Sequence, residues 1–402
     1  MRFAHIYVHI PFCHSKCNYC DFVSYPLAGR EEALAAYDRL LSAEVELWRK
    51  RAKLGPLKSV YIGGGTPSLL PATAIQALLD NLLTGQDSKA PQTQTNKAQP
   101  DISCPMGENE YAFAPEITLE ANPESVTADK LAVWRAAGVN RLSLGAQSFD
   151  DALLAAMGRP HNAAQIGEAV RLARLAGFSN ISIDLIYGLP GQDINAWRAD
   201  LARALALNVE HISLYGLSLS ETSPWGAKAA AGALTVPDED LSADMLEAAL
   251  NTLPKAGYSH YEISNFARPG FFSRHNTAYW QRENYLGLGA AAASCYGEKR
   301  WFNERDITVY QAALAEDRLP LIEEEFLSIE EVLGEALFLG LRLIAGIDLD
   351  EFERRYGTRA ERYYKKPISR LQRQELVEIA DGHLRLTRRG VLLGNEVFVN
   401  FL

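Results

Sequence analysis

The sequence predicts an α/β protein: a partial (β/α)6 barrel followed by a small, mainly helical C-terminal domain of winged-helix type. Three observations predict it. Six short β-branched runs alternate with five amphipathic stretches through the first half of the chain. Glycines and unusual polar residues stand where those runs end. From about Ile322 the pattern turns helical and closes on a short strand pair and a last helix.

The strand candidates are Ile6–Ile10, Ser59–Ile62, Glu116–Glu120, Arg141–Gly145, Asn180–Ile186 and His211–Gly216. Helix candidates lie between them near Arg30–Lys53, Ala72–Leu83, Ala128–Ala137, Ala163–Ala176 and Ile194–Leu207. Their apolar positions recur at three- and four-residue spacing, the pattern of a helix face packed on a sheet. Gly138 and Gly177 stand where two of them close, as at helix C-termini. Alternation of this kind implies parallel strands joined by right-handed crossovers. Six such units curl into an open version of the eight-stranded barrel, whose chemistry gathers on the loops after the strands. The sequence meets that expectation position by position. The first strand runs into Cys13-His14-Ser15-Lys16-Cys17-Asn18-Tyr19-Cys20, and the second into Gly63-Gly64-Gly65-Thr66-Pro67. Glu120 closes the third, Gln147 follows the fourth and Asp184 lies within the fifth.

Residues 84–114 break the alternation. Gln, Thr, Asn, Ser and Pro dominate there, so a surface insertion is expected, with Cys104 as an incidental thiol. The expected division is 1–232 for the barrel core, 233–305 for an aromatic-rich extension and 306–402 for the C-terminal domain. Helices are expected at Ser328–Ala345 and Asp348–Tyr356, followed by Ile368–Ile379, Leu384–Thr387 and Arg389–Leu402.

Composition narrows the function. The 402 residues carry 50 acidic against 40 basic side chains, a net charge of −10. A nucleic-acid backbone calls for a basic face, so nucleic acid is not the expected partner, even for a winged-helix module. No apolar run is long enough for a transmembrane segment. The first residues lack the apolar core of a signal peptide, so a cytoplasmic protein is expected. Five cysteines are too few and too uneven for a disulfide framework, and three of them fall within eight residues.

Those three, Cys13, Cys17 and Cys20, are spaced C-x3-C-x2-C. Three thiolates in one loop can hold three irons of a [4Fe–4S] cluster and leave the fourth open. A structural zinc would need a fourth protein ligand, and the neighbouring His14 is poorly placed to converge with Cys13 on one ion. This loop, with the glycine triplet after the second strand, resembles the radical S-adenosylmethionine proteins. Tyr7-Val8-His9-Ile10-Pro11-Phe12-Cys13, Gly63–Pro67 and Asp184-Leu185-Ile186-Tyr187-Gly188-Leu189-Pro190 resemble one branch, the oxygen-independent coproporphyrinogen III oxidases and their relatives.

The resemblance implies a set of roles. The open iron would chelate the methionine moiety of S-adenosyl-L-methionine, beside the backbone of Gly64, Gly65 and Thr66. Glu120 would pair with its ammonium, Arg159 would fork onto its carboxylate, and Gln147 and Asp184 would hold the ribose hydroxyls. Tyr7 and Tyr19 would flank the cluster and the adenosine. An electron from an external donor, passed through the cluster, would break the sulfonium C–S bond, chemistry that belongs to the cofactors.

Two departures separate this chain from the oxidases. They carry a further cysteine two positions after the third, where this chain has Phe22, and a longer arm before the cluster loop. A third feature is positive: His275-Asn276-Thr277-Ala278-Tyr279-Trp280 matches the H-N-x-x-Y-W signature of the HemW-type haem chaperones. In a helix, His275 could ligate haem iron while Tyr279 and Trp280 cover the macrocycle. A histidine in an aromatic packing cluster would read the same way from the residues alone. The expectation is therefore a chaperone that binds haem and delivers it to haem-acceptor apoproteins. The alternative is a coproporphyrinogen III oxidase or another radical oxidoreductase of porphyrins.

Overall fold

The computed structural model describes residues 1–84 and 114–402. The expected insertion, with Cys104, lies almost wholly outside them.

Six parallel strands stand side by side in chain order: β1 (Arg2–Ile10), β2 (Lys53–Gly64), β3 (Glu116–Ala121), β4 (Arg141–Gln147), β5 (Ile181–Tyr187) and β6 (His211–Gly216). Helices α1 (Glu31–Arg49), α2 (Ala72–Leu83), α3 (Ala128–Ala136), α4 (Asp151–Met157), α5 (Ala163–Leu175) and α6 (Ile194–Ala206) fill the crossovers. Each expected strand and helix of this half is present within a few residues; the short α4 comes in addition.

The strands alternate two kinds of buried side chain. Val60 and Ile62, Ile117 and Leu119, Leu142 and Leu144, and Ile183 and Leu185 are buried beneath the helices. Their neighbours in the period-two pattern are polar: Ser59 and Tyr61, Thr118 and Glu120, Arg141 and Ser143, Ser182 and Asp184. One face of the curved sheet therefore carries the apolar core, and the other presents a polar interior. Trp134 and Trp197 are fully enclosed on the helical side. Removing either indole would cost about 3–5 kcal/mol.

The chain then adds α7 (Pro224–Ala230), α8 (Glu239–Thr252), β7 (Ser259–Glu262), β8 (Asn265–Ala267) and α9 (Arg274–Trp280). β8 and β7 extend the sheet antiparallel beyond β6. At the opposite edge β9 (Tyr285–Leu288) lies parallel to β1, followed by antiparallel β10 (Ala293–Tyr296), β11 (Lys299–Asn303) and β12 (Leu321–Phe326). The result is one sheet of twelve strands among the described residues. Buried Glu44 of α1 locks the added edge in place. Its carboxylate accepts from the Gly289 N–H at 2.7 Å, Asn303 Nδ2 at 2.6 Å and the Tyr310 hydroxyl at 2.6 Å.

After α10 (Ile307–Ala315), a second hydrophobic core gathers Leu337, Phe352, Leu371, Val397 and Phe398. It is built from α11 (Ile329–Gly340), which begins in a Ser328–Glu331 capping box, and a three-stranded sheet of β13 (Ile347–Asp348), β14 (Val377–Ala380) and β15 (His383–Leu386). Helices α12 (Leu349–Tyr356), α13 (Ala360–Tyr363), α14 (Lys365–Arg373), α15 (Arg388–Leu392) and α16 (Gly394–Phe398) complete it. No described helix is long and apolar enough to cross a membrane.

Candidate functional site

A cavity of about 330 Å³ opens where the parallel strands end. Cys13, Cys17, Tyr19, Cys20, Gly64, Gly65, Thr66, Glu120, Gln147, Arg159 and Asp184 all line it. Eleven of the thirteen site residues expected from the sequence thus share one wall, although they span five strands and the loops between.

The cysteine loop is tied down along its length. Pro11 O accepts from the Tyr25 N–H at 2.7 Å and Cys13 O from the Leu27 N–H at 2.8 Å, closing the loop on itself. The Asn18 N–H donates to Met157 O at 3.0 Å, and the Trp225 N–H to Asn18 O at 2.8 Å, fixing its outer turn to α4 and α7. His9 Nε2 meets Val23 O at 2.8 Å. The three thiols are free and partly buried. Burial pushes the Cys13 thiol up and the Cys20 thiol up to about 11, so thiolates there need a cationic partner. Two groups already face the sulfurs: Thr66 Oγ1 lies 3.6 Å from Cys13 Sγ, and Arg159 Nη1 3.6 Å from Cys17 Sγ. Among the described residues no group of three His, Cys, Asp or Glu side chains is already gathered to hold a metal ion. The three cysteines line one cavity, and a cubane takes one thiolate per iron.

The glycine triplet brings main chain against this loop. The Thr66 N–H donates to Phe12 O at 2.7 Å. A Cβ on Gly65 would stand 2.6 Å from that oxygen and 3.0 Å from Cys13 Sγ, so only glycine fits. Gly64 has φ +119, and a Cβ there would strike the His9 imidazole at 2.7 Å. This backbone cradle beside the thiols suits a small polar ligand seated on the cluster.

Charged groups line the rest of the wall. Glu120 Oε1 accepts from the Tyr61 hydroxyl at 2.7 Å and Oε2 from the Gly64 N–H at 3.2 Å. Burial, opposed by these bonds and reinforced by Asp184, raises its pKa to about 7. Asp184 is cradled by Ser143 Oγ at 3.0 and 3.2 Å and Ser182 Oγ at 3.2 Å, and burial raises it also. Gln147 ends β4 with φ 69, the left-handed region, at a bulge opposite Leu185; such strain collects at functional sites. Arg159 donates from Nη2 to Asn122 Oδ1 and Gly145 O, both at 2.7 Å, while its buried Nε has no partner. An incomplete guanidinium, two carboxylates and the glycine cradle fit an amino-acid headgroup with a ribose.

Two expected residues lie elsewhere. Tyr7 stands behind the wall, stacked on Tyr61 at 6.2 Å and bonded to His9 Nδ1 at 2.9 Å. His275 is 1% exposed, with both ring nitrogens engaged: Nδ1 with Ser59 Oγ at 2.7 Å and Nε2 with the Tyr279 hydroxyl at 2.9 Å. Glu116 accepts from the Arg274 and His275 N–H groups at 3.0 and 3.1 Å and pins the start of α9. His275 thus stands in the core and not on the cavity wall, with both ring nitrogens occupied in this structure. Tyr61, Asn122 and Tyr215, not singled out from the sequence, line the cavity. Asn122 could have been found as the polar residue just beyond the β3 terminus.

Known families and proteins resemble this chain along most of its length. Residues 7–204 match the radical SAM superfamily and residues 327–393 the HemN C-terminal domain. Coproporphyrinogen III oxidase (HemN) from Escherichia coli shares the fold, with a TM-score of 0.76 at 23% identity over 98% of this chain and 89% of that one. The heme chaperone HemW of Lactococcus lactis is 36% identical over 98% of this chain and 96% of its own length. That of Bacillus subtilis is 35% identical over 98% of each. Likeness of that extent places the chain in the HemW family of the radical S-adenosylmethionine superfamily.

Proposed function

We propose that this protein binds haem and passes it to acceptor apoproteins, and that it carries a [4Fe–4S] cluster with exchangeable S-adenosylmethionine. The observation that supports the cofactor half is the single cavity uniting three free thiols with Glu120, Gln147, Arg159 and Asp184. The haem half rests on near-full-length likeness to chains named as haem chaperones.

In this reading Cys13, Cys17 and Cys20 hold the cluster, and Thr66 and Arg159 support the sulfurs of Cys13 and Cys17. Glu120, fixed by Tyr61 and Gly64, receives the ammonium of the methionine moiety. Arg159, short of one partner at Nε, receives its carboxylate. Asp184 and Gln147 hold the ribose. A [4Fe–4S] cluster held by these cysteines and reduced by an external donor would supply one-electron chemistry to the sulfonium. The core would comprise residues 1–232, the extension 233–305 and the C-terminal domain 306–402.

Haem titrated into the purified protein, with and without reconstituted cluster, should give a stoichiometric complex in its absorption spectrum. Adding a haem-free acceptor should then transfer the chromophore. No uptake in either state would sink the proposal. Coproporphyrinogen III, supplied anaerobically with reductant and S-adenosylmethionine, should not be decarboxylated, because Phe22 stands where the oxidases carry a cysteine. Stoichiometric conversion would favour the oxidase instead.

A further inference from the structure

Resting on the haem-chaperone reading, we propose that haem seats on the rim of the cluster cavity, with His14 as its axial ligand and Phe22 against the macrocycle.

An axial imidazole needs a ring nitrogen with a free lone pair and room beside it for a flat ring. The chain has eight histidines, all among the described residues. Five are closed. His5 meets Ser59 and Glu283; His9 meets Tyr7 and Val23 O; His161 meets Glu124 and Ala146 O. His211 meets Ser182 and Tyr261, and His275 meets Ser59 and Tyr279. All five are buried. His260 lies flat on Phe266, 4.3 Å between ring centres, with Nε2 turned to Ile263 O. His383 holds Asp381 O through Nδ1 on the far hairpin of the C-terminal domain and does not line the cavity.

His14 differs on each count. It is exposed, makes no hydrogen bond to another described residue, and lines the cavity. Phe22, 66% exposed, lines the same cavity, and so does Tyr215, 43% exposed. Lys16 Nζ donates to Phe22 O at 3.4 Å, which brings a cation onto the same rim. A haem presents three needs: an imidazole for iron, apolar cover for the ring, and cations for two propionates. His14, Phe22 and Lys16 supply one of each. Burying an exposed aromatic against the macrocycle adds apolar contact that water now occupies. Haem seated here would also lie across the mouth of the cavity, so its binding and that of S-adenosylmethionine would be linked, each altering the other by the same factor.

Ferric haem titrated into the cluster-loaded full chain tests this. His14→Gly should bind haem at least roughly tenfold more weakly, since even losing a residue that merely supports a metal ligand costs that much. Its spectrum should lose the imidazole-ligated form, and free imidazole should restore it, which a purely structural role would not allow. His383→Ala should behave as the parent. If His14→Gly disturbs the cluster, the comparison is made on the Cys13→Ser, Cys17→Ser, Cys20→Ser background with and without His14→Gly. A parent-like spectrum and affinity in His14→Gly, or a loss that imidazole does not rescue, would overturn the assignment while leaving haem binding intact. No haem uptake by the parent would overturn both.

Discussion

The Tyr61 hydroxyl donates to Oε1 of Glu120 at 2.7 Å, and this bond aims one carboxylate into the cavity beside the glycine loop. The half-buried carboxyl titrates near 7 instead of its usual 4.5, because burial outweighs the bonds from Tyr61 and Gly64 and Asp184 adds repulsion. A raised folded pKa means the folded chain holds its proton where the unfolded chain has lost it. That stability is fully present below about pH 4.5 and is lost as pH rises through 7, up to about 3 kcal/mol. Glu120→Gln should therefore gain stability relative to the parent above pH 7 in denaturant unfolding. Only the carboxylate pairs with an ammonium, so the affinity for S-adenosylmethionine should rise as pH passes through 7. In Glu120→Gln it should be roughly ten- to a hundred-fold weaker at pH 8, with a flat profile. Calorimetry across pH showing the same slope in both proteins would contradict the role given to Glu120.

Cys13→Ser, Cys17→Ser and Cys20→Ser should each abolish the thiolate-to-iron absorption after anaerobic reconstitution. Cys295→Ser should leave it unchanged, since Cys295 lies buried on β10 and does not line the cavity. Iron analysis of the triple variant settles the matter: about four irons per chain with a cluster spectrum would exclude these ligands.

Much of this architecture was legible because strand ends are marked locally. The cysteine loop, the glycine triplet, Glu120 and Gln147 all lie at or just beyond the ends of apolar runs, where a (β/α) unit puts its chemistry. The polar interior was legible in principle too, since Tyr61, Thr118, Arg141 and Asp184 alternate strictly with buried apolar residues. Reading the strands as continuous β-branched runs hid that pattern. Residues that depend on register or on distant partners were harder. His275 is sealed by Ser59, 216 positions away, and no local pattern signals that bond. α4 is seven residues long and runs straight into Gly158, and the strands of the extension are three to five residues long, too short for periodicity to declare them.

Gly65→Ala should disturb the site with no change of charge. The new methyl would meet the Phe12 carbonyl at 2.6 Å, and backbone cannot swing aside as a side chain can. The loop must shift away from Cys13, so S-adenosylmethionine binding should fall at least roughly tenfold, the scale of disturbing a ligand's supporting shell. Gly297→Ala offers a contrast. Its Cβ meets nothing within 4 Å, so its φ of 61 brings backbone strain without crowding, at a residue that does not line the cavity. Binding measured side by side in the two variants separates local crowding from general strain. Equal affinities would remove the glycine cradle from the site.

His275→Ala should behave as a core mutation, although the residue heads the H-N-x-x-Y-W signature. Removing the imidazole strands the Tyr279 hydroxyl, leaves Ser59 Oγ with His5 alone, and opens space against Tyr61, whose ring centre lies 5.2 Å away. Lost packing, two lost hydrogen bonds and one hydroxyl left unmet should together cost about 2–4 kcal/mol in denaturant unfolding. The size of the loss should depend on pH. Burial, with His5 and Arg141 nearby, holds the His275 pKa well below its usual 6.5. A depressed histidine contributes stability that is present above pH 6.5 and lost as pH falls, because the unfolded chain takes up a proton that the folded ring refuses. The alanine variant lacks that acid penalty, so the gap between parent and variant should narrow from pH 8 towards pH 5. Haem spectrum and affinity, measured at pH 8 where both chains are folded, should match the parent. A haem complex lost at full stability would return His275 to the role of ligand.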